Sequence, residues 1–116
     1  MNFPQANKLC KKLCRKFGIS KPPQIIPLKY SRVGKCVNLG HYDNLNNTIE
    51  LNIHTMVPWG YGEVKETISH ELAHTKCYQL YGSSYDGAHD KWFRGVCKDL
   101  GLSKHVAMST KITTEN

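Results

Sequence analysis

The chain has 116 residues and no apolar run that approaches the roughly 20 residues of a membrane-spanning helix. Its N-terminal segment soon becomes rich in lysine and has no apolar core of the kind that defines a secretory signal peptide. These absences predict an intracellular protein, in the cytoplasm, nucleoid or nucleus, without a membrane partner. The length predicts a single domain over residues 1–116, with a polar tail from about residue 109 onward.

The five cysteines include no C-x-x-C pair, and their number is odd. This pattern argues against a disulfide framework and against a zinc ribbon. We expect reduced thiols in the core of a cytosolic protein. The residues concerned are Cys10, Cys14, Cys36, Cys77 and Cys97.

Residues 1–42 contain no carboxylate, although they carry nine lysines and arginines. Residues 43–116 carry the other seven basic side chains and all nine acidic ones. Such an asymmetry predicts a polyanionic partner, with nucleic acid ahead of a membrane surface. A solvated face that only improves solubility is the alternative interpretation.

Apolar periodicity and turn-forming residues predict an α+β fold with the order helix, small antiparallel sheet, helix, helix. The segments are a helix at about 4–17, strands at 24–30, 35–41 and 48–53, and helices at about 63–80 and 88–100. The last two strands flank a turn-rich connection that suits a hairpin. The first helix combines an apolar stripe with a basic outer face.

Residues 70–74 read H-E-L-A-H on the second predicted helix. Because residues i and i+4 lie on one helical face, the imidazoles of His70 and His74 can converge on one metal ion. Glu71 lies one step further round the helix, where it can touch a metal-bound water without ligating the metal. The spacing therefore predicts a metal site rather than two unrelated surface histidines.

A catalytic zinc site needs a third protein ligand and an open position. No glutamate occurs between Glu71 and residue 115, which excludes in practice the common arrangement with a glutamate on a following helix. His89 follows a glycine-containing loop that lets the third helix fold back antiparallel onto the second. His89 is the favoured third ligand, while Asp86 and Asp90 remain carboxylate alternatives.

Three short segments together resemble the SprT-like (Spartan-type) zinc metallopeptidase domain: H-E-L-A-H at 70–74, D-G-A-H at 86–89 and W-F at 92–93. The hairpin predicted before the helix that carries H-E-L-A-H also fits this family, so the resemblance covers nearly the whole chain. Members often have Asp-Gly-His-Gly where this chain has Asp-Gly-Ala-His-Asp. Residues 1–116 contain no counterpart of the C-terminal zinc ribbon of many members, so we expect a minimal protease core.

The resemblance implies a compact zincin-like core that binds one Zn²⁺ per chain through His70, His74 and His89, with Glu71 as general base. Zinc would lower the pKa of its water and polarise the scissile carbonyl. Glu71 would take the water proton and pass it to the leaving amine. The reaction implied is the hydrolysis of a peptide bond by a zinc endopeptidase.

SprT-like enzymes typically act on proteins bound or crosslinked to DNA, often with stimulation by DNA. The resemblance therefore implies a protein substrate and single-stranded or distorted DNA, bound without sequence specificity. The candidate phosphate contacts are Lys8, Lys11, Lys12, Arg15 and Lys16. Trp59 and Tyr61 are candidates for stacking on unpaired bases, or equally for a wall of the active-site cleft.

Other roles stay open at this stage. The strand at 48–53 could pair with an extended substrate, because zinc proteases often bind peptides by strand addition. Tyr78, Tyr81 and Tyr85 are near enough in sequence to stabilise an oxyanion, although packing is the favoured interpretation for each. The alternative functions are a peptidase for one protein substrate without DNA dependence, and a nucleic-acid-binding module with structural zinc.

Overall fold

The computed structural model describes residues 2–28, 32–33, 36–38, 40–52, 60–103, 106 and 111–113. The α-helices in these residues are α1 (Phe3–Phe17), α2 (Tyr61–Tyr81) and α3 (Lys91–Asp99), and a short 3-10 helix covers Gly82–Ser84. The strands are β1 (Gln24–Leu28), β2 (Arg32–Val33), β3 (Cys36–Asn38), β4 (Gly40–Asp43), β5 (Thr48–Asn52) and β6 (Lys111–Thr113). The predicted α+β class is confirmed. Within the described residues, no helix has the length and apolar character needed to cross a membrane.

The main sheet has the strand order β1-β5-β4. β4 and β5 form the predicted antiparallel hairpin, with Tyr42 opposite Ile49. β1 pairs with β5 in parallel, so the sheet is mixed rather than wholly antiparallel. The long excursion through β2, β3 and β4 returns the chain beside β1 in the same direction, as a parallel pair requires. The segment predicted as one strand at 35–41 contributes β3 to a second, antiparallel sheet and β4 to the main sheet.

The first helix is fixed at both ends and along its inner face. Asn2 and Gln5 form a reciprocal capping box at its start, and Gly18 ends it in the left-handed conformation at φ 69°. The Asn7 side chain binds both backbone groups of Ile25, at 2.8 Å to the amide and 3.1 Å to the carbonyl. These bonds dock the helix on β1 and occupy part of that strand's outer edge.

The second helix runs through the centre of the molecule, and eleven of its residues are buried. Val64, Ile68 and Leu72 pack in the same core as α1 and the sheet. A Cβ at Gly40 would lie only 3.1 Å from the Thr67 methyl carbon, so glycine there lets β4 approach this helix closely. The hairpin is thereby placed beside the helix that carries H-E-L-A-H.

The third helix begins at Lys91, three residues later than the sequence predicts. Asp90 is its N-cap, and one carboxylate oxygen accepts hydrogen bonds from the amides of Trp92 and Phe93 at 3.0 and 3.1 Å. His89 therefore lies just before the helix rather than on it. Phe93, Val96 and Cys97 form a second core cluster with Ala73 and Cys77 of α2.

The cysteines agree with the expectation of reduced thiols where the structure describes them. Cys10, Cys14, Cys77 and Cys97 are free and buried. Burial is the main cause that raises the pKa of Cys77 to about 12 and that of Cys97 to about 11, so both remain thiols at neutral pH. The side chain of Cys36 lies outside the described residues.

Candidate metal centre

Three imidazoles converge between α2 and the segment before α3. Ring nitrogens of His70, His74 and His89 all lie within 4.8 Å of one another. His70 and His74 are 2% and 8% exposed, whereas His89 is open to solvent. The three rings thus form a cluster with a buried floor and one accessible side.

The ring arrangement follows from helical spacing and from the return of the chain. The rings of His70 and His74 are neighbours on α2, with centroids 5.0 Å apart. The ring of His89 lies 4.9 Å from the first and 5.0 Å from the second. The three centroids therefore form a nearly equilateral triangle.

The spacing of the nitrogen atoms suits one small cation. Nε2 of His74 and Nε2 of His89 are 3.1 Å apart. Two nitrogens bound to one tetrahedral zinc at its usual bond length lie about 3.3 Å apart, close to this value. The pair is already near the separation that a shared ion imposes.

His70 is held by a backbone acceptor. Its Nδ1 lies 2.7 Å from the carbonyl oxygen of Val106. Since a carbonyl oxygen can only accept, Nδ1 must carry the proton, and Nε2 keeps its lone pair for a metal. Val106 is fixed in turn through its amide, which donates to the Ser103 hydroxyl at 3.2 Å.

His74 is held by a tyrosine instead. Tyr85 donates its hydroxyl proton to the carbonyl of Ala88 at 2.9 Å. The tyrosine oxygen therefore accepts from Nδ1 of His74, at 2.6 Å. These two hydrogen bonds again leave Nε2 of the histidine unprotonated, and they tie His74 to Ala88, the residue next to His89. Partners of this kind orient ligating imidazoles in metal sites.

Burial keeps the two α2 imidazoles neutral. Desolvation is the first cause that lowers the pKa of His70 to about 4 and that of His74 to about 3. The other histidines of the cluster lower both pKa values further, while the bond to Val106 acts in the opposite direction on His70. At neutral pH both rings have the free lone pairs that metal binding needs.

One phenylalanine ring contacts all three imidazoles. The ring of Phe93 is fully buried and stacks on His74, with centroids 4.3 Å apart. It lies 4.7 Å from His89 and 5.2 Å from His70. Phe93 therefore positions the cluster, a role that sequence reasoning did not assign. The available signal was its place four residues after His89.

The two carboxylate alternatives to His89 serve the backbone. Asp90 caps α3, and Asp86 accepts a hydrogen bond from the Ala88 amide at 3.0 Å. Neither belongs to the group of converging donors found among the described residues. The structure brings His89, and not these aspartates, to the two α2 histidines.

Glu71 lies beside the cluster in a cleft of about 220 Å³. Its side chain is only 3% exposed. The lining of the cleft also includes His41 and Tyr42 of β4 and His74 of α2. The remaining lining residues are Tyr78, Asp86 and Gly87. The cleft thus adjoins the imidazole cluster at His74 and the carboxylate of Glu71.

The three candidate tyrosines occupy different environments. The Tyr85 hydroxyl is committed to His74 and Ala88, so it is not directed at a substrate. Tyr81 stacks on Trp92 on the surface, with centroids 4.7 Å apart. Tyr78 lines the cleft, where it also contacts Tyr85.

Most predicted DNA contacts lie on the surface. All five candidate cations on the outer face of α1 are exposed: Lys8, Lys11, Lys12, Arg15 and Lys16. Tyr61 is the first residue of α2 and is 56% exposed. Trp59 lies outside the described residues.

The structure changes the place at which an extended substrate can add to the sheet. β5, which covers most of the strand predicted at 48–53, lies between β1 and β4 and pairs with both. It offers no free edge, so the expectation of pairing there is wrong. Among the strands that the structure describes, β4 is at the edge of this sheet, and it contributes His41 and Tyr42 to the cleft.

Comparison with known proteins supplies the family. A search of the curated proteins and a search of the solved structures each found no match to the chain. The family model of the SprT-like family matches residues 5–115, which is almost the entire chain. The matched range includes most of α1, the main sheet and the complete histidine cluster. The chain therefore belongs to the SprT-like family.

Proposed function

We propose that this protein is a zinc-dependent endopeptidase that acts on DNA-associated or DNA-crosslinked proteins. The observation that carries the proposal is the convergence of His70, His74 and His89 beside Glu71, within a chain of the SprT-like family. In this proposal the three imidazoles hold one Zn²⁺ per chain, and Glu71 is the general base.

The donor set fits zinc. Neutral imidazole nitrogens are ligands that Zn²⁺ accepts readily, and two of the three have their other nitrogen fixed by a hydrogen bond. The cluster found in the described part of the chain contains three donors and no cysteine. Structural zinc sites are usually closed by four protein ligands and favour cysteine, so this set supports a catalytic site over a structural one.

Zinc held by His70, His74 and His89 would supply Lewis-acid chemistry, since it would lower the pKa of a water and polarise the scissile carbonyl. The Glu71 carboxylate faces the same cleft and accepts the proton of the attacking water. It then donates that proton to the leaving amine. Its burial excludes bulk water from this transfer, while the exposed side of His89 leaves the cluster open to a polypeptide.

The substrate backbone is proposed to add to the edge of β4. An exposed strand edge binds an extended peptide through main-chain hydrogen bonds. His41 and Tyr42 of β4 line the cleft, so a peptide paired with this strand would pass beside Glu71. The edge of β1 is less suitable, because the Asn7 side chain already binds the backbone of Ile25.

The DNA part of the proposal is supported by the basic face of α1. All five of its candidate cations are exposed, and residues 1–42 contain no carboxylate to neutralise them. Cations on one helical face bind phosphates without sequence preference. DNA held on this face would bring its bound proteins to the enzyme.

Cleavage of a basic DNA-binding protein by the zinc-loaded enzyme tests the proposal. It is run with and without single-stranded DNA, beside a Glu71→Gln variant whose zinc content is measured. We expect cleavage that DNA stimulates, and a variant that keeps zinc but loses activity. Cleavage that is indifferent to DNA would favour a peptidase for a particular protein without DNA dependence. A wild-type enzyme that is inactive with full zinc would contradict the peptidase assignment.

The contribution of α1 is tested by neutralising part of its face. A triple variant, Lys11→Gln, Lys12→Gln and Arg15→Gln, removes three charges. Affinity for single-stranded DNA should then depend less steeply on salt, by a slope of about 2 in the logarithmic plot. A matched variant on α3 replaces the exposed residues Lys91, Arg94 and Lys98 with glutamine. If the salt dependence of DNA affinity falls equally in both variants, the binding depends on net charge rather than on the basic face of α1.

A further inference from the structure

The cleft beside Glu71 combines two features that the peptidase chemistry does not use. It has an aromatic wall, formed by Tyr42 and Tyr78, and a carboxylate, that of Asp86. We propose that this cleft is a specificity subsite that accepts a lysine or arginine side chain of the protein substrate, with Asp86 as the counter-charge. The inference rests on the proposed peptidase function and deepens it.

The aromatic wall suits the stem of a long cationic side chain. The rings of Tyr42 and Tyr78 both line the cleft and contact each other, with centroids 5.7 Å apart and a tilt of 42°. The ring of Tyr78 also packs edge-on against that of Tyr85, with centroids 4.9 Å apart. Lysine and arginine bury their methylene stems along such surfaces while the charged head remains near water. The faces of the rings also attract a cation.

The carboxylate is fixed at the rim of the same cleft. Oδ1 of Asp86 accepts a hydrogen bond from the Ala88 amide at 3.0 Å, which leaves Oδ2 for a cation. Desolvation, followed by the charge of Asp86, raises the pKa of the Tyr78 phenol above its usual value. The Asp86 carboxylate is therefore close enough to Tyr78 for both to contact one side chain in the cleft.

Gly87 holds the loop in this position. Its φ of +86° is favourable only for glycine, and a Cβ there would lie 3.0 Å from the Tyr78 hydroxyl oxygen. The backbone next to Asp86 can therefore lie directly against the tyrosine. This close approach sets the distance between the carboxylate and the wall.

The size of the cleft indicates one side chain. Its volume of about 220 Å³ is below the range of roughly 300–1,000 Å³ that small-molecule sites occupy. The ionisable side chains of the lining are the carboxylates Asp86 and Glu71 and the histidines His41 and His74. Glu71 and His74 belong to the proposed zinc site, so Asp86 is the carboxylate of the lining that remains to favour a cation. A glutamate of the substrate would be repelled there.

The experiment uses full-length zinc-loaded enzyme and peptides in which one lysine is moved across the positions flanking the scissile bond. Each lysine is compared with norleucine and with glutamate at the same position. At one position the ratio of kcat/KM for lysine over norleucine should be about fivefold, the upper limit for an exposed ion pair. Glutamate should be the poorest of the three.

An Asp86→Asn variant removes the charge and keeps the acceptor oxygen for Ala88. The lysine preference should then fall to about twofold or less. Asp99→Asn, which removes an exposed carboxylate at the far end of α3, is the matched control and should keep the preference. A preference that Asp86→Asn leaves intact would overturn the proposal, and so would a wild-type enzyme that cleaves all three peptides equally.

A binding measurement separates this inference from the peptidase assignment. Zinc-loaded Glu71→Gln enzyme is titrated with the labelled peptides, and fluorescence anisotropy gives Kd. Tighter binding of the lysine peptide, lost when Asp86→Asn is added, supports the subsite even if the wild-type enzyme cleaves nothing. Equal affinities, or no binding of any peptide, would overturn the subsite even if cleavage occurs.

Discussion

The hydrogen bond from His74 to Tyr85 gives the sharpest prediction about the metal centre. Tyr85→Phe keeps the buried ring, its packing on Tyr78 and the shape of the core. It removes the oxygen that accepts from Nδ1 of His74 and that donates to Ala88. The imidazole is then free to rotate or to adopt the wrong tautomer, and its buried N–H loses its acceptor.

Loss of such an orienting partner typically weakens metal affinity by about 10- to 100-fold. We expect Kd for zinc to rise by that factor, measured by competition with a chromophoric chelator at neutral pH. The unsatisfied group should also lower the free energy of unfolding of the metal-free protein by about 1–3 kcal/mol. Tyr81→Phe, on the surface stack with Trp92, is the matched control and should change neither quantity. Unaltered zinc affinity in Tyr85→Phe would refute the role given to this hydrogen bond.

Three further predictions concern the surroundings of the cluster. The metal-free protein should lose stability as the pH falls from 6.5 towards 4, because the unfolded state takes up protons that the folded state excludes. For His70 alone the loss reaches roughly 3 kcal/mol, which urea unfolding at several pH values can measure, and a flat profile would contradict the buried neutral state. Asp90→Ala should cost about 1 kcal/mol of stability and weaken zinc binding, whereas Asp90→Asn should retain both as an equivalent helix cap. Equal loss of zinc affinity in the two Asp90 variants would instead indicate ligation by the carboxylate. Phe93→Leu should lower the melting temperature and raise Kd for zinc, because the ring that contacts all three imidazoles is lost. A variant with wild-type zinc affinity would show that the ring does not position the cluster.

The candidate site was accessible to sequence reasoning because its chemistry is local. The H-E-L-A-H segment places two imidazoles on one helical face through the pitch of the helix alone. His89 could be selected because the segment after the motif contains no glutamate before residue 115 and because a glycine-containing loop permits a return of the chain. The structure brings these three residues together.

The partners that hold the imidazoles could not be predicted in the same way. The bond from His70 to Val106 spans 36 residues and ends on a backbone carbonyl, which has no side-chain signature. The role of Tyr85 depends on a loop that places its hydroxyl between two segments. Phe93 belonged to an apolar stripe, and its contact with the cluster depends on how α3 packs against α2.

The predictions of the strand pairing and of the start of α3 were wrong for related reasons. Alternation of side chains predicted β5 correctly as a strand, but it does not show which strands lie on either side of it. β5 is central only because the parallel partner β1 arrives from a distant part of the sequence. The start of α3 depends on whether Asp90 caps the helix or extends it, and the capping hydrogen bonds to Trp92 and Phe93 decide this.

X-ray absorption at the zinc edge of the loaded protein tests most directly whether three histidines form an open zinc site. The site described here predicts one zinc per chain, bound by three imidazole nitrogens at about 2.0–2.1 Å together with an exchangeable oxygen ligand. A sulfur ligand at about 2.3 Å, or a shell closed by four protein ligands, would identify a structural site and contradict the catalytic assignment. A spectrum with only two imidazoles would remove His89 from the centre.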